Sequence, residues 1–279
     1  MVEIRRILCP TDFSDNSRHA LDHAIAVAGW YGADVIGLHI GNPMMTNTQR
    51  LEQQLRMWLS PAIAAGIATD AAVDNGNPVD RILDHARSLE ADLIVIGTHG
   101  QGGFKRFVLG SVAETVLRKA TCPVMTVPPS TASTSKLPFE QLLCPVDFSD
   151  SSNAALQFAL SLAQETNARL SLLHVLESSL DGESGVLVQT SEQRRQRETD
   201  ACRRLAALIS DDVRNLCRPE SKLVFGKAGE QILTVATAEH SDLIVMGLQG
   251  RSALDMMLFG STTQEVVRRA SCPVLTLRC

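Results

Sequence analysis

Short apolar runs alternate with longer amphipathic stretches along the whole chain. "RRILCP" (5–10), "DVIGLHI" (34–40), "ATDAAV" (68–73), "DLIVIG" (92–97) and "VMTV" (124–127) are too short for helices and are bounded by polar or turn residues, so they predict strands. Between them, "SRHALDHAIAVAGWYG" (17–32) has helical spacing, with Ser17 as its expected N-cap and Gly32 as its stop. "TQRLEQQLRMWLSPAIAAG" (48–66) predicts a helix broken near Pro61, and "PVDRILDHARSLE" (78–90) one with Pro78 in its first turn. "SVAETVLRKA" (111–120) predicts a helix in which Ser111 and Glu114 form a capping box. Near-continuous apolar strands alternating with helices indicate βαβ units. The sheet is then parallel, buried on both faces, and flanked by helices on each side.

The pattern then repeats. "LCPTDFSD" (8–15) returns as "LCPVDFSD" (143–150), and His39 returns as His174, both at an offset of 135. Gly76 returns as Gly226, Gly97 as Gly247 and Cys122 as Cys272, all at an offset of 150, so about fifteen extra residues lie between His174 and Gly226. This period is far too long for a solenoid. It marks a duplicated domain, with copies expected at 1–130 and 139–279. The Pro-, Ser- and Thr-rich stretch from Pro128 to Glu140 reads as a linker of limited flexibility.

Composition narrows the function. Hydrophobic residues make up 44% of the 279 positions and aromatics only 4%, so the cores must rest on aliphatic side chains. The net charge of -5 argues against a general nucleic-acid partner, which would need a basic surface. No apolar run approaches a membrane span and the first residues lack a signal-peptide pattern, so a cytoplasmic location is expected. The seven cysteines include no C-x2-C pair and read mainly as small buried hydrophobes.

The chemistry concentrates after the fourth strand of each copy. Gly97, Gly100 and Gly110-Ser111 have the spacing G-x2-G-x9-G-S, and Gly247, Gly250 and Gly260-Ser261 repeat it. Glycine lets a backbone approach a ligand closely, and a helix N-terminus offers unpaired N–H groups and partial positive charge, which suits phosphate. Ligands of such sheets bind beyond the carboxyl ends of the strands. The loop is neither a Walker A motif, since no Gly-Lys-[ST] follows, nor a G-x-G-x-x-G fingerprint.

"PTDFSD", "LHI", "DLIVIGTHG" and the glycine spacing in the first copy, with "PVDFSD", "LHV", "DLIVMGLQG" and the same spacing in the second, resemble the universal stress protein family in its tandem, ATP-binding form. The resemblance implies an α/β fold: two copies of a five-stranded parallel sheet in order 3-2-1-4-5, Rossmann-like and similar to the adenine nucleotide alpha hydrolases. It places Asp12 and Asp147 beside the adenosine and Ile40 and Val175 against the adenine. Ile96, Gly97, His99, Gly100, Gly110, Ser111 and Val112 complete the first site. Met246, Gly247, Gln249, Gly250, Gly260, Ser261 and Thr262 complete the second. The implied ligand is ATP with Mg2+, with ADP or AMP as alternatives. The two domains are expected to pair with each other, with a homodimer as a further option.

The copies differ. His99 becomes Gln249, Gly103 becomes Ala253 and Lys105-Arg106 become Asp255-Met256, with Arg251 as a partial replacement for the lost charge, so the second site is expected to bind less tightly or differently. A binding protein using ATP as a switch is the leading reading. A slow ATPase or an adenylyl transferase is the enzyme alternative; no Walker lysine and no evident base beyond His99 accompany the loop, so any hydrolysis is expected to be slow. A scaffold with one or both sites empty is the third. His39 and His174 read as core or supporting residues. His19 and His23, four apart on one helix face, lack an evident third metal ligand. "SEQRRQRETDACRRLAALI" (191–209) reads as a charged, solvated amphipathic helix.

Overall fold

A computed structural model describes residues 2–41, 48–100, 109–129, 131, 139–177, 191–209, 219–250 and 260–278. Gly103, Lys105, Arg106, Arg251, Ala253, Asp255, Met256 and most of the linker lie outside the described residues. The first copy runs β1 (Arg6–Pro10), α1 (Asp15–Tyr31), β2 (Asp34–Gly41), α2 (Thr48–Trp58), α3 (Ser60–Ala64), β3 (Thr69–Asn75), α4 (Pro78–Ser88), β4 (Leu93–Gly97), α5 (Ser111–Lys119) and β5 (Val124–Val127). The second runs β6 (Gln141–Pro145), α6 (Asp150–Thr166), β7 (Arg169–Leu176), α7 (Ser191–Ala207), β8 (Glu220–Phe225), α8 (Ala228–Ala238), β9 (Leu243–Gly247), α9 (Ser261–Arg269) and β10 (Val274–Leu277).

The sheet order is β3-β2-β1-β4-β5-β10-β9-β6-β7-β8, which is 3-2-1-4-5 in each copy, parallel within each. Successive strand residues serve opposite faces. In β4, Leu93 and Val95 join the apolar layer under α1 and α6, while Ile94 and Ile96 join the layer under α4, α5 and their counterparts. The central strands β4 and β9 are buried on both faces and are apolar throughout, whereas the edge strands β3 and β8 are only partly buried and carry charged residues.

The helix ends follow local chemistry. Ser14, not Ser17, caps α1: its side chain accepts from the Ser17 N–H, and the Ser17 hydroxyl donates back to the Ser14 carbonyl. Two serines three apart compete for this role, and the one in extended conformation takes it. The helix stops at Gly32 in the left-handed conformation, and the equivalent stop of α6 is Asn167, the residue that best tolerates that conformation after glycine. The Ser111–Glu114 capping box does not form. Gly110 is the N-cap of α5, with no side-chain cap bond, and the Glu114 side chain points to the other copy.

The copies meet edge to edge. β5 and β10 pair antiparallel, with Met125 opposite Leu275, and the Thr126 and Thr276 hydroxyls donate across to the Val274 and Val124 carbonyls. The backbone N–H of Val2 donates to Ser161 and Glu165 of α6, and the Tyr31 hydroxyl also donates to Glu165.

Burial governs the thiols. Cys9 and Cys272 are pushed up to about 12 and Cys122 to about 11, and Cys144 is raised as well, each chiefly by desolvation. The folded chain therefore holds protons that the unfolded chain releases near 9.0. That stabilising difference is complete below about pH 9 and is lost as pH rises toward 12. Urea midpoints should accordingly be flat from about pH 7 to 8.5 and fall above 9; a midpoint that holds or rises there contradicts thiol burial as a determinant of alkaline stability.

Candidate functional site

Each copy opens a cavity beyond the carboxyl ends of its strands, one of about 860 Å3 in the first copy and one of about 540 Å3 in the second. Both fall within the range of small-molecule sites. The first gathers Asp12, Ile40, Ile96, Gly97, His99, Gly100, Gly110, Ser111 and Val112. The second gathers Asp147, Val175, Met246, Gly247, Gln249, Gly250, Gly260, Ser261 and Thr262. All eighteen residues singled out in the sequence therefore line one cavity or the other.

The floor is built by the turn after β1. Asp12 Oδ1 accepts from the Ser14 backbone N–H and hydroxyl, so the residue that caps α1 also fixes the carboxylate. Between them Phe13 sits at φ 62, and its counterpart Phe148 at φ 65. Left-handed backbone at a bulky residue costs about 1–3 kcal/mol. It recurs at the same place in both copies because each ring is held against a histidine, Phe13 on His39 and Phe148 on His174, with centroids 4.4 and 4.5 Å apart. The two histidines in turn set Nδ1 2.8 Å from the Thr11 carbonyl and 2.7 Å from the Val146 carbonyl. They tie the end of the second strand to that of the first.

The second glycine of the motif closes over this carboxylate. A Cβ at Gly100 would lie 2.9 Å from Asp12 Oδ2, and one at Gly250 would lie 2.9 Å from Asp147 Oδ2. A side chain there must displace a carboxylate that Ser14 or Ser149 holds through its other oxygen, which favours glycine in both loops. Opposite, α5 and α9 start at Gly110 and Gly260 without side-chain caps. Their first-turn N–H groups remain for an anion, with the Ser111 and Ser261 hydroxyls beside them.

The two sites are not equivalent. In the first, Thr98 Oγ1 lies 2.9 Å from His99 Nδ1. In the second, Gln249 replaces the histidine, and Thr263 Oγ1 donates to the Gly247 carbonyl, where the first copy has Ala113. Sequence reasoning missed two arginines. Arg197, on α7, lines the second cavity and donates to the Glu177 carbonyl, so the helix read as a solvated surface also brings a cation to the site. Arg268, on α9 of the second copy, lines the first cavity. Arg197 lies far from the glycines in sequence, and Arg268, although on the helix that opens at Gly260, lines the cavity of the other copy. His23, a candidate metal ligand with His19, is buried, with Nδ1 2.9 Å from the His19 carbonyl, and burial lowers its pKa. Among the described residues, no helix is long and apolar enough to cross a membrane.

The model of the universal stress protein family matches residues 3–128 and again 138–278. A universal stress protein of Methanocaldococcus jannaschii is 33% identical over 138 residues, covering 44% of this chain and 81% of that protein. One from Thermus aquaticus is 33% identical over 140 residues, covering 50% of this chain and 99% of that protein. A universal stress protein structure from Archaeoglobus fulgidus covers 98% of both chains at 24% identity with a TM-score of 0.71, which establishes a common fold.

Proposed function

Because the chain belongs to the universal stress protein family, we propose that it is a nucleotide-dependent stress-response binding protein that takes ATP in both cavities. One observation carries this reading: in each copy an uncapped helix N-terminus and a glycine held against an anchored carboxylate face the same cavity. An adenosine fits the end bounded by Ile40 and Ile82 in the first copy, where Asp12 can accept from ribose hydroxyls. The polyphosphate fits the N-terminus of α5, where backbone N–H groups and Ser111 donate to it. Mg2+ would arrive on the phosphates, its usual mode of binding at nucleotide sites.

Ser111→Ala removes one hydrogen bond to a charged oxygen. It should weaken ATP binding at the first site by about 1.5–3 kcal/mol, or roughly 10–150-fold. Calorimetry on nucleotide-free protein measures it, and the absence of ATP binding to the unmodified chain would sink the reading altogether.

A further inference from the structure

Arg268 belongs to the second copy, yet it lines the cavity of the first. Its Nη2 lies 3.6 Å from Glu114 Oε2, and Gln264 Nε2 donates to Glu114 Oε1 at 3.2 Å. Its Nε is buried and has no hydrogen-bond partner among the described residues. Glu114 sits one turn after Ser111 on α5, so the two share a helix face, with Cβ atoms about 5–6 Å apart. The guanidinium is therefore held within one turn of the uncapped N-terminus, across the domain interface and with donor capacity unused.

The arrangement is one-sided. Glu114 and Gln264 occupy equivalent positions, as do Arg118 and Arg268, since each pair is separated by the 150-residue offset. The two equivalent positions 114 and 264 touch each other, so the approximate two-fold axis passes between them. Only one of the two is charged, and only one arginine is drawn across. Arg118 is exposed and does not line the second cavity.

On the reading that the first cavity takes an adenine nucleotide, we propose that Arg268 is a ligand, supplied by the second domain, for the terminal phosphates of that nucleotide. Glu114 holds the arginine in reserve and competes with the phosphates for it. The first site then favours ATP over AMP through a residue of the other copy. Occupancy by a triphosphate also pulls on α9, which opens at the second cavity with Ser261.

An ordinary interface ion pair makes a different prediction, which separates the two. Arg268→Gln and Glu114→Gln break the same pair, so a purely structural role shifts both variants in the same direction. A phosphate ligand with a competing carboxylate gives opposite signs. ATP and AMP affinities should be measured by calorimetry on the full chain, alone and with Gly250→Val closing the second site away from α9. Arg268→Gln should weaken ATP about 10-fold or more while changing AMP less than about 2-fold. Glu114→Gln should raise the ATP-to-AMP preference about 2- to 5-fold. Arg268→Lys should retain much of that preference, and Arg118→Gln should leave it unchanged. If ATP and AMP bind but both glutamine variants shift the preference alike, or neither shifts it, Arg268 is not a phosphate ligand. If neither nucleotide binds the unmodified chain, the nucleotide reading of the cavity fails, and the role of Arg268 fails with it.

Discussion

Gly110→Val is expected to abolish ATP binding at the first site, a loss of about 100-fold or more, larger than that of Ser111→Ala. The Gly110 N–H donates to the Thr98 carbonyl at 2.8 Å, and a Cβ at position 110 would lie 3.2 Å from that same oxygen. The neighbour is backbone, so it cannot swing away, and retreat of residue 110 would break the bond that closes the loop onto α5. A β-branched side chain adds two methyl groups at the point where phosphate oxygens would meet the helix N-terminus. The second copy is more tolerant: a Cβ at Gly260 would lie 3.4 Å from the Leu248 carbonyl, ordinary contact. Alanine should therefore cost more affinity at 110 than at 260. Calorimetry should show two sites in the unmodified chain and one in Gly110→Val, with a thermal melt confirming that the variant folds. First-site affinity retained within about 10-fold would show that the phosphates do not lie at this helix.

The sheet could be read from the sequence because its central strands are buried on both faces, leaving unbroken apolar runs such as "DLIVIG" that suit a covered parallel sheet. The site could be read because close backbone approach demands glycine, and duplication displayed the same spacing twice. Local competition was harder to read. Ser14 and Ser17 are both good caps, and only the backbone conformation of Ser14 decides between them. Ser111 and Glu114 have the capping-box spacing, but Gly110 takes the cap, which frees the carboxylate for Arg268. Arg268 itself carries no local signal: it stands 157 residues after Ser111 and reaches the first cavity only because β5 and β10 pair. Arg197 is similarly hidden, on a helix whose charge pattern describes a solvated surface.

The β5–β10 edge carries a second large expected effect. A fragment of residues 1–130 should fold, since it carries its own five strands and its own match to the family model, and should dimerise by pairing its β5 edge with that of a second copy. The carbonyls of Pro123 and Val127 accept from Ile94 and Thr98, so the odd positions of β5 face β4. Val124 and Thr126 then present their N–H groups to β10. Thr126 pairs with Val274, Met125 with Leu275 and Val124 with Thr276. Transferred to a homodimer by the 150-residue offset, this register sets Met125 opposite Met125 on the axis, and Thr126 of each chain opposite Val124 of the other. Thr126→Pro removes one ladder donor and one hydroxyl donor from each chain and leaves the bonds to β4 in place. Four lost hydrogen bonds at about 0.5–1.5 kcal/mol each amount to roughly 2–6 kcal/mol, or about 30- to 10⁴-fold in the dimer dissociation constant. Met125→Pro instead strikes the side facing β4 and should destabilise the fragment itself. Sedimentation of the three fragments decides the matter: a dimer for 1–130, a folded monomer for Thr126→Pro and a poorly folded species for Met125→Pro. A strictly monomeric 1–130 at high concentration would mean that this edge does not associate by itself, and that the pairing in the full chain depends on the linker and on the contacts of Val2 and Tyr31 with α6.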